Sequence, residues 1–472
     1  MRFYAAVFLF ITFLALKAAP GVEPETLILT NVNIIDTRSG SLARNMTVVV
    51  KNGRIDGIAK VGLIQESRKI RLVNTNGKFL IPGLWDMHVH TAGGSAPAWD
   101  EKIIYPLYIA NGITGVRDMG GDPAMLQQRR ERIEHGQLLG PHMVFGGPFL
   151  ASGKTDSQTV GVNTPDEGRQ AVITLKNRGM DFIKILSTLT RPTYMAIAEE
   201  ARKLKIRFVG HVPDAVSVEE ASAAGQRSIE HLSGVLLACS SRDTELRQQR
   251  LDALAKKDFA TYSETDVQAL STYDPAKAHH LFVELTDNNT WQVPTLVWDR
   301  ADAHIGDPDP PDELKYVPAS LRKQWDPNKL LSATSPEEMA ARKKLALRYI
   351  ELAGEMHRAG VPFMAGSDGP DPFVIPGVSL HKELELLVQA GFSNAEALQT
   401  ATFRPALFLA KLDHYGVIEK GREADMVLLD ANPLENIHNS RKIAAVIVRG
   451  KYFPRADLDK ILMGIEEAAA KE

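Results

Sequence analysis

The chain has a single cysteine, Cys239, among its 472 residues. It therefore cannot form an internal disulfide or a cysteine-based zinc site. We expect Cys239 to be buried, because free cysteine packs as a small hydrophobic residue. The formal net charge of -3 leaves no basic surface of the kind that binds nucleic acid and no polybasic patch for a membrane. Internal repeats and low-complexity tracts are also lacking.

An apolar run over residues 3–16 lies at the N-terminus between Arg2 and Lys17. It is too short to cross a bilayer comfortably and is typical of the hydrophobic region of a signal peptide. We therefore expect residues 1–19 to be a signal peptide and the protein to be secreted or periplasmic, with no stable membrane span after cleavage. An uncleaved N-terminal anchor is the alternative.

Both ends of the remaining chain are rich in β-branched residues. Residues 27–36 and 46–58 alternate in polarity and contain a turn signal at Asn52-Gly53, and residues 424–429 and 443–452 have the same character. These patterns predict one small β-sandwich built from residues 24–80 and 413–455. Residues 456–472 are expected to form a C-terminal helix or tail.

Between these ends, apolar strand patterns alternate with amphipathic helices, for example over 164–178, 193–204, 336–359 and 380–390. Eight such pairs predict an α/β fold, a TIM (β/α)8 barrel over residues 81–412. Functional side chains of such barrels lie at the C-terminal ends of the strands. The predicted strands end near His90, Asp118, Phe145, Leu186, His211, His231, Leu296 and Asp368.

Residues 301–335 interrupt this rhythm with many prolines and aspartates after the seventh strand. A long loop at this point is expected to be a lid over the functional face, with a disordered insert as the alternative.

The first predicted strand ends in His88-Val89-His90. Because side chains alternate along a strand, both imidazoles point to the same side and can chelate one metal ion. His211 and His231 end the fifth and sixth strands, where they suit a second metal, although each alone fits a packed histidine equally well. Asp368 ends the eighth strand, where a turn-forming aspartate before glycine is the alternative.

Lys184 lies inside the apolar run Asp-Phe-Ile-Lys-Ile-Leu, at the end of the fourth strand. A buried lysine is costly unless its charge is neutralised. One solution is reaction with carbon dioxide to give a carbamate, which can bridge two metals as a carboxylate does. A salt bridge or a side chain that reaches solvent is the alternative.

This order of residues, together with segments 80–90, 113–120, 228–231, 365–368 and 416–427, resembles the amidohydrolase superfamily in its binuclear, carboxylated-lysine subtype. The resemblance covers most of the chain and is strongest to imidazolonepropionase-like and prolidase-like hydrolases. Some prolidase-like members carry a Gly-Gly-His element after the third strand. Here residues 146–155 lack that histidine, so the substrate of the family does not carry over.

The resemblance implies two divalent metal ions, with zinc the first choice since imidazole and carboxylate suit it. His88, His90 and Asp368 would hold one ion and His211 and His231 the other, with a carbamate on Lys184 and a hydroxide as bridges. The ions would lower the pKa of the bridging water, and Asp368 would act as general base and then as general acid.

Substrate contacts are expected from residues just beyond strands three, four and seven. Lys154 or Arg191 can pair with a substrate carboxylate, and Tyr194 can donate to a carbonyl oxygen, with Trp298 beside them. Solvated charges and packed aromatic rings are the alternatives. Asp118 and Glu230 are candidates for orienting the metal ligands. The pair His279-His280 falls within a helical pattern and is expected on the surface.

The implied function is hydrolysis of a C–N amide bond in a small molecule, either a dipeptide or an N-acyl amino acid. Hydrolysis of a cyclic amide, a lactone or a phosphotriester by the same site is the alternative. A more distant alternative is an inactive scaffold or binding protein. A homo-oligomer is compatible with the sequence.

Overall fold

In the computed structural model, the described residues are 26–60, 70–93, 99–156, 158–306 and 311–472. The expected signal peptide therefore lies outside the described residues. Among the residues that are described, each helix is too short or too polar to cross a lipid bilayer.

The two ends of the chain meet in one eight-stranded mixed sheet. Its strand order is β17-β16-β15-β5-β1-β2-β3, and β4 also pairs with β1. Side chains from its own strands form a hydrophobic cluster that includes Leu29, Val48, Leu80, Met426 and Ile447. The strands are β1 (Thr26–Asp36), β2 (Ser41–Lys51), β3 (Arg54–Lys60), β4 (Ile70–Asn74), β5 (Phe79–Pro82), β15 (Met426–Leu429), β16 (Ile443–Val448) and β17 (Lys451–Pro454).

The central part of the chain is α/β, with parallel strands in two further sheets. The first has the order β6-β7-β8 and the second β10-β9-β11-β12-β13-β14. The strands are β6 (Leu84–Val89), β7 (Ile113–Asp118), β8 (His142–Phe145), β9 (Phe149–Ala151), β10 (Thr159–Gly161), β11 (Phe182–Ile185), β12 (Arg207–Gly210), β13 (Ser228–Glu230) and β14 (Trp291–Val293). Strands β9 and β10 were not expected from the sequence.

The expected eighth strand is not a regular strand. Residues 363–369 instead make one parallel bridge to β14, at Gln292–Phe363, and one to β6, at Val89–Gly369. The cause is local: the backbone of Gly366 approaches that of His88 so closely that a Cβ would lie 2.9 Å from the His88 nitrogen. Asp368 then turns the chain with a φ of 62°. The segment thus places Asp368 beside β6 without forming a strand.

Helices connect and cover these strands. They are α1 (Glu101–Ala110), α2 (Pro123–Glu134), α3 (Pro165–Asn177), α4 (Arg191–Leu204), α5 (Val218–Ala223), α6 (Val235–Ala238), α7 (Asp243–Lys256), α8 (Phe259–Ser271), α9 (Pro275–Asp287), α10 (Leu296–Ala303), α11 (Ala319–Gln324), α12 (Pro327–Leu330), α13 (Pro336–Arg358), α14 (Val378–Gln389), α15 (Asn394–Thr400), α16 (Phe403–Leu409) and α17 (Arg455–Ala469). Two 3-10 helices span Asp312–Tyr316 and Ile437–Arg441.

Local chemistry explains where several of these helices begin. Thr164 caps α3 and forms a reciprocal capping box with Glu167, and Pro165 occupies the first turn, where its missing N–H costs nothing. Ser335 caps α13 in front of Pro336, where its hydroxyl accepts a hydrogen bond from the amide of Glu338. The four amphipathic helices predicted from the sequence are all present, with boundaries shifted by at most two residues.

The segment after the seventh strand is folded in its described part. Residues 301–303 are the last residues of α10, and residues 304–306 follow it. Residues 311–335 contain a 3-10 helix, α11 and α12. Val317, Leu321 and Trp325 are buried, so this segment packs onto the body of the protein as a set of short helices. Its described part is therefore neither an unstructured loop nor a disordered insert.

Two simpler predictions are confirmed. Cys239 is fully buried in the hydrophobic core. His279 and His280 are exposed on α9, and His280 lies 3.4 Å from Glu284 on the same helix.

Candidate metal centre

The six side chains proposed as metal ligands line one cavity of about 400 Å³. His88 lies within β6, Lys184 within β11 and Asp368 within the bridging segment 363–369, whereas the other three directly follow the ends of β6, β12 and β13. The C-terminal ends of parallel strands meet at one edge, which explains why residues so distant in sequence converge. These six residues are His88, His90, Lys184, His211, His231 and Asp368.

His88, His90 and Asp368 form the tightest group. One ligand atom from each residue lies within 4.8 Å of the others. The Oδ1 atom of Asp368 is 3.3 Å from Nε2 of His88 and 3.1 Å from Nε2 of His90. Two imidazole nitrogens and a carboxylate oxygen at such distances are a donor set suited to a divalent transition metal.

The remaining ligand candidates lie next to this group. The ring of His231 is 4.7 Å from that of His88 and 5.0 Å from that of His211, measured between centroids. Nδ1 of His231 is 3.8 Å from Oδ2 of Asp368. Lys184 is 1% exposed, and burial lowers the pKa of its amine to about 8. A larger fraction of this amine is therefore neutral near neutral pH than for an ordinary lysine.

The four histidines are oriented alike. The Nδ1 atom of His88 is 3.0 Å from a Glu230 carboxylate oxygen, and that of His90 is 3.1 Å from the Gly120 carbonyl. For the other two, Nδ1 of His211 is 2.9 Å from Ser187 Oγ and Nδ1 of His231 is 2.8 Å from Thr295 Oγ1. With Nδ1 engaged in each ring, Nε2 is left available, which is the usual arrangement of metal-binding histidines.

A buried ion pair fixes the carboxylate behind His88. Arg117 donates from Nη2 to both oxygens of Glu230, each at 2.9 Å, and from Nη1 to Ser228 Oγ at 3.0 Å. Arg117, Glu230 and His88 are all fully buried. Glu230 therefore meets the expectation that it orients a ligand.

Two aspartates organise the backbone around the ligands. Asp118 accepts hydrogen bonds from Thr91 and from the amide of Gly120, whose carbonyl contacts His90, so it supports that histidine indirectly. Asp86 accepts from both the amide and the hydroxyl of Ser367, and burial raises the pKa of its carboxyl to about 7. These contacts tie β6 to the segment that carries Asp368.

Three residues at the site have a left-handed backbone. His231, Thr295 and Asp368 have φ values of 59°, 50° and 62°, in the left-handed region that non-glycine residues rarely adopt. Such conformations cost on the order of 1 kcal/mol or more each and persist where surrounding contacts enforce them. Here they aim two ligand candidates and the hydroxyl that holds His231.

The expected substrate residues are mostly elsewhere. Trp298 lines the cavity, but Lys154, Arg191 and Tyr194 do not. Lys154 is exposed in the loop between β9 and β10, and Arg191 forms an ion pair with Glu220 at 2.7 Å. Tyr194 is fully buried, and its hydroxyl donates to Gln226 at 3.0 Å. These three residues therefore lie outside the wall of the cavity that holds the ligand candidates.

Sequence reasoning missed several residues around the site. Asp86 and Arg117 are charged residues inside apolar strands, a costly placement that signals a buried partner. That signal was present in the sequence. The other missed residues line the cavity from β9 and from helices and left no such signal: Phe149, Arg250, Asp266, Asp299 and Tyr349.

Comparison with known proteins identifies the family of this chain. The model of the amidohydrolase family matches residues 79–452. An adenine deaminase from Desulforamulus reducens is 26% identical over 198 residues, which cover 40% of this chain and 32% of that protein. The chain thus matches about a third of the length of this curated relative.

Solved structures share the fold along nearly the whole chain. A putative prolidase from Bifidobacterium longum has a TM-score of 0.65 at 24% identity, covering 94% of this chain and 100% of that one. Bottromycin amidohydrolase has a TM-score of 0.73 at 23% identity, covering 95% and 91%. A Xaa-Pro dipeptidase with bound methionine has a TM-score of 0.66 at 20% identity, covering 91% and 100%. The family model spans most of the chain, and the protein belongs to the amidohydrolase family.

Proposed function

We propose that this protein is a metal-dependent hydrolase that cleaves the C–N amide bond of a dipeptide or an N-acyl amino acid. The single observation that carries the proposal is the convergence of four histidines, a buried lysine and an aspartate on one cavity. Family membership supports hydrolase activity, while the substrate and the binuclear mechanism belong to the proposal.

The residues present fit a metal centre. Nε2 of His88 is buried and makes no hydrogen bond in the described part of the chain: its Nδ1 is held by Glu230, and Oδ1 of Asp368, 3.3 Å from Nε2, is itself an acceptor. An unpaired buried nitrogen is costly unless something else binds its lone pair. A metal ion next to Asp368 would satisfy it.

In this proposal His88, His90 and Asp368 hold one divalent ion and His211 and His231 hold the other, with carboxylated Lys184 shared between them. Zinc suits these donors. When bound, such ions supply a water that is acidic near neutral pH and a Lewis acid for the scissile carbonyl.

The role of the chain itself centres on Asp368. The charge of His231 and the hydrogen bond from His90 outweigh burial and lower the pKa of this carboxyl. Asp368 is therefore ionised at neutral pH and can accept a proton at its oxygen atoms. Its backbone amide donates to the carbonyl of His88 at 2.8 Å, which keeps the carboxylate at the cavity wall. It can then return that proton to the leaving amine.

We also propose that the parallel strands close into a (β/α)8 barrel over residues 81–412, flanked by a β-domain from residues 24–80 and 413–455. The bridges of residues 363–369 to both β14 and β6 support closure at that point. The structures of similar fold support the same arrangement. Export through residues 1–19 and self-association remain predictions.

The test is amine release from a library of dipeptides and N-acyl amino acids, with protein expressed in zinc and bicarbonate. We expect turnover on a few substrates. Lys184→Ala should lose metal and activity, with partial rescue by short carboxylic acids. Lys154→Ala is the matched control, because Lys154 is exposed and outside the cavity.

Two outcomes would contradict the proposal. Full activity of Lys184→Ala would exclude the shared ligand. Absence of turnover in protein that binds two metals would exclude these amides and direct the assay to cyclic amides, lactones and phosphotriesters.

A further inference from the structure

The outer wall of the cavity is formed by helices that follow strands β13 and β14. Arg250 lies on α7, Asp266 on α8, Trp298 and Asp299 on α10, and Tyr349 on α13. These residues face the metal-ligand candidates across the same cavity. They are therefore placed to contact the part of a substrate that extends away from the scissile bond.

The guanidinium of Arg250 is already committed to protein partners. Its Nη2 is 2.5 Å from Asp266 and its Nη1 is 3.5 Å from Asp214. Its Nε donates to Thr265 Oγ1 at 2.6 Å, and the side chain is largely buried. Arg250 is thus neutralised, and it is not a free clamp for a substrate carboxylate.

Asp299 is the opposite case. It is partly buried at the cavity wall and has no hydrogen-bond or ion-pair partner among the described residues. Burial, together with repulsion from Asp302, Asp266 and Asp368, raises the pKa of its carboxyl well above the usual range. A cation brought into the cavity would relieve this cost, because it would pair with the ionised carboxylate.

Aromatic rings stand beside Asp299 in the same wall. Trp298 precedes it on α10, and the indole nitrogen of Trp298 donates to Asp371, which holds the ring in place. The ring of Tyr349 also lines the cavity. The faces of such rings attract cations, most strongly for tryptophan. A carboxylate without a partner and two aromatic side chains in the wall of one cavity are the chemistry of an ammonium or guanidinium site.

We propose that Asp299 selects amide substrates that carry a positively charged ammonium or guanidinium group, which binds against Asp299, Trp298 and Tyr349. This inference rests on the proposed hydrolase function and specifies its substrate class. It replaces the expected recognition of a substrate carboxylate by Lys154 or Arg191, neither of which lines the cavity.

The experiment compares kcat/KM for substrates that differ only in charge. N-acetylarginine is paired with N-acetylcitrulline, and alanyl-arginine with alanyl-citrulline. We expect the charged member to be preferred by about 10-fold or more, as for a charge-assisted hydrogen bond, and Asp299→Asn to remove that preference mainly through KM. Asp302→Asn is the matched control on the same helix, because Asp302 pairs with Arg342 at 2.9 Å and does not line the cavity.

Failure of this inference is distinguishable from failure of the proposed function. Equal hydrolysis of charged and neutral substrates, or an unchanged preference in Asp299→Asn, would overturn the inference and leave the hydrolase intact. If no amide is cleaved, calorimetry with butylguanidine and its neutral isostere butylurea decides. Tighter binding of butylguanidine that Asp299→Asn abolishes supports the cation site, and equal binding of the two probes refutes it.

Discussion

Replacing Arg117 by methionine should destabilise the protein strongly. Arg117 is fully buried, donates to both oxygens of Glu230, and also donates from Nε to the Met87 carbonyl at 2.6 Å. The change would leave the carboxylate of Glu230 buried without its counter-ion. Loss of one partner of a buried pair costs about 3–5 kcal/mol, most of it from the charge left behind.

The double variant Arg117→Met/Glu230→Gln separates that cost from the loss of packing. With both charges removed, the unpaired carboxylate disappears, so the double variant should be more stable than Arg117→Met alone. Metal content should nevertheless fall in both, because Arg117→Met removes the side chain that holds the Glu230 carboxylate against His88, and the double variant removes that carboxylate as well. Loss of such a partner typically weakens metal affinity about 10- to 100-fold.

Urea unfolding and metal analysis of the purified variants measure these effects. Arg54→Met is a suitable control, because Arg54 is 47% exposed and its ion pair with Glu423 should contribute about 1 kcal/mol or less. The reasoning would be refuted if Arg117→Met were as stable as Arg54→Met. It would also be refuted if the double variant were no more stable than Arg117→Met.

Three further substitutions test other parts of the structure. Gly366→Ala should lower the metal content and the melting temperature, because the new Cβ would lie 2.6 Å from a Val293 methyl. Gly57→Ala is the control and should change neither quantity, because a Cβ there has nothing within 4 Å. Burial lowers the pKa of His381 from 6.5 to about 4. Its neutral ring should therefore contribute roughly 3 kcal/mol to the free energy of unfolding above pH 6.5, and this contribution should be lost as the pH falls towards 4. Urea unfolding at pH 7 and at pH 5 measures this effect. Between these two pH values, the free energy of unfolding should fall less for His381→Gln than for the unsubstituted protein. Tyr194→Phe should lower the free energy of unfolding by about 1 kcal/mol and leave KM unchanged. A raised KM would indicate that Tyr194 contacts the substrate.

The convergence of the ligand candidates on one cavity could be predicted because strand ends carry strong local signals. His88 and His90 are related by the two-residue period of a strand. Lys184 interrupts an apolar run, where a buried lysine is costly unless its charge is neutralised. The start of α3 was equally local, since Thr164, Pro165 and Glu167 form its cap within four residues. Where a few neighbouring residues determine the structure, sequence reasoning succeeded.

The outer cavity wall could not be predicted in this way. Asp299 and Arg250 reach the cavity only because α10 and α7 pack over the strand ends, which depends on contacts distant in sequence. Tyr194 follows the fourth strand closely, as a substrate residue would, but the rotation of α4 directs it into the interior towards Gln226. Proximity in sequence to a strand end therefore did not establish which way a side chain points.

The distribution of charge explains how one site can be both stable and receptive to metal. Behind the strands the charges are fixed by protein partners, Arg117 with Glu230 being the fully buried pair. Towards the cavity, burial lowers the pKa of His88 and His211 well below the usual value, so these rings are neutral and offer lone pairs. These two neutral rings and the ionised Asp368 attract cations. The buried pair thus fixes the geometry, and the cavity face supplies the electron pairs that a metal ion requires.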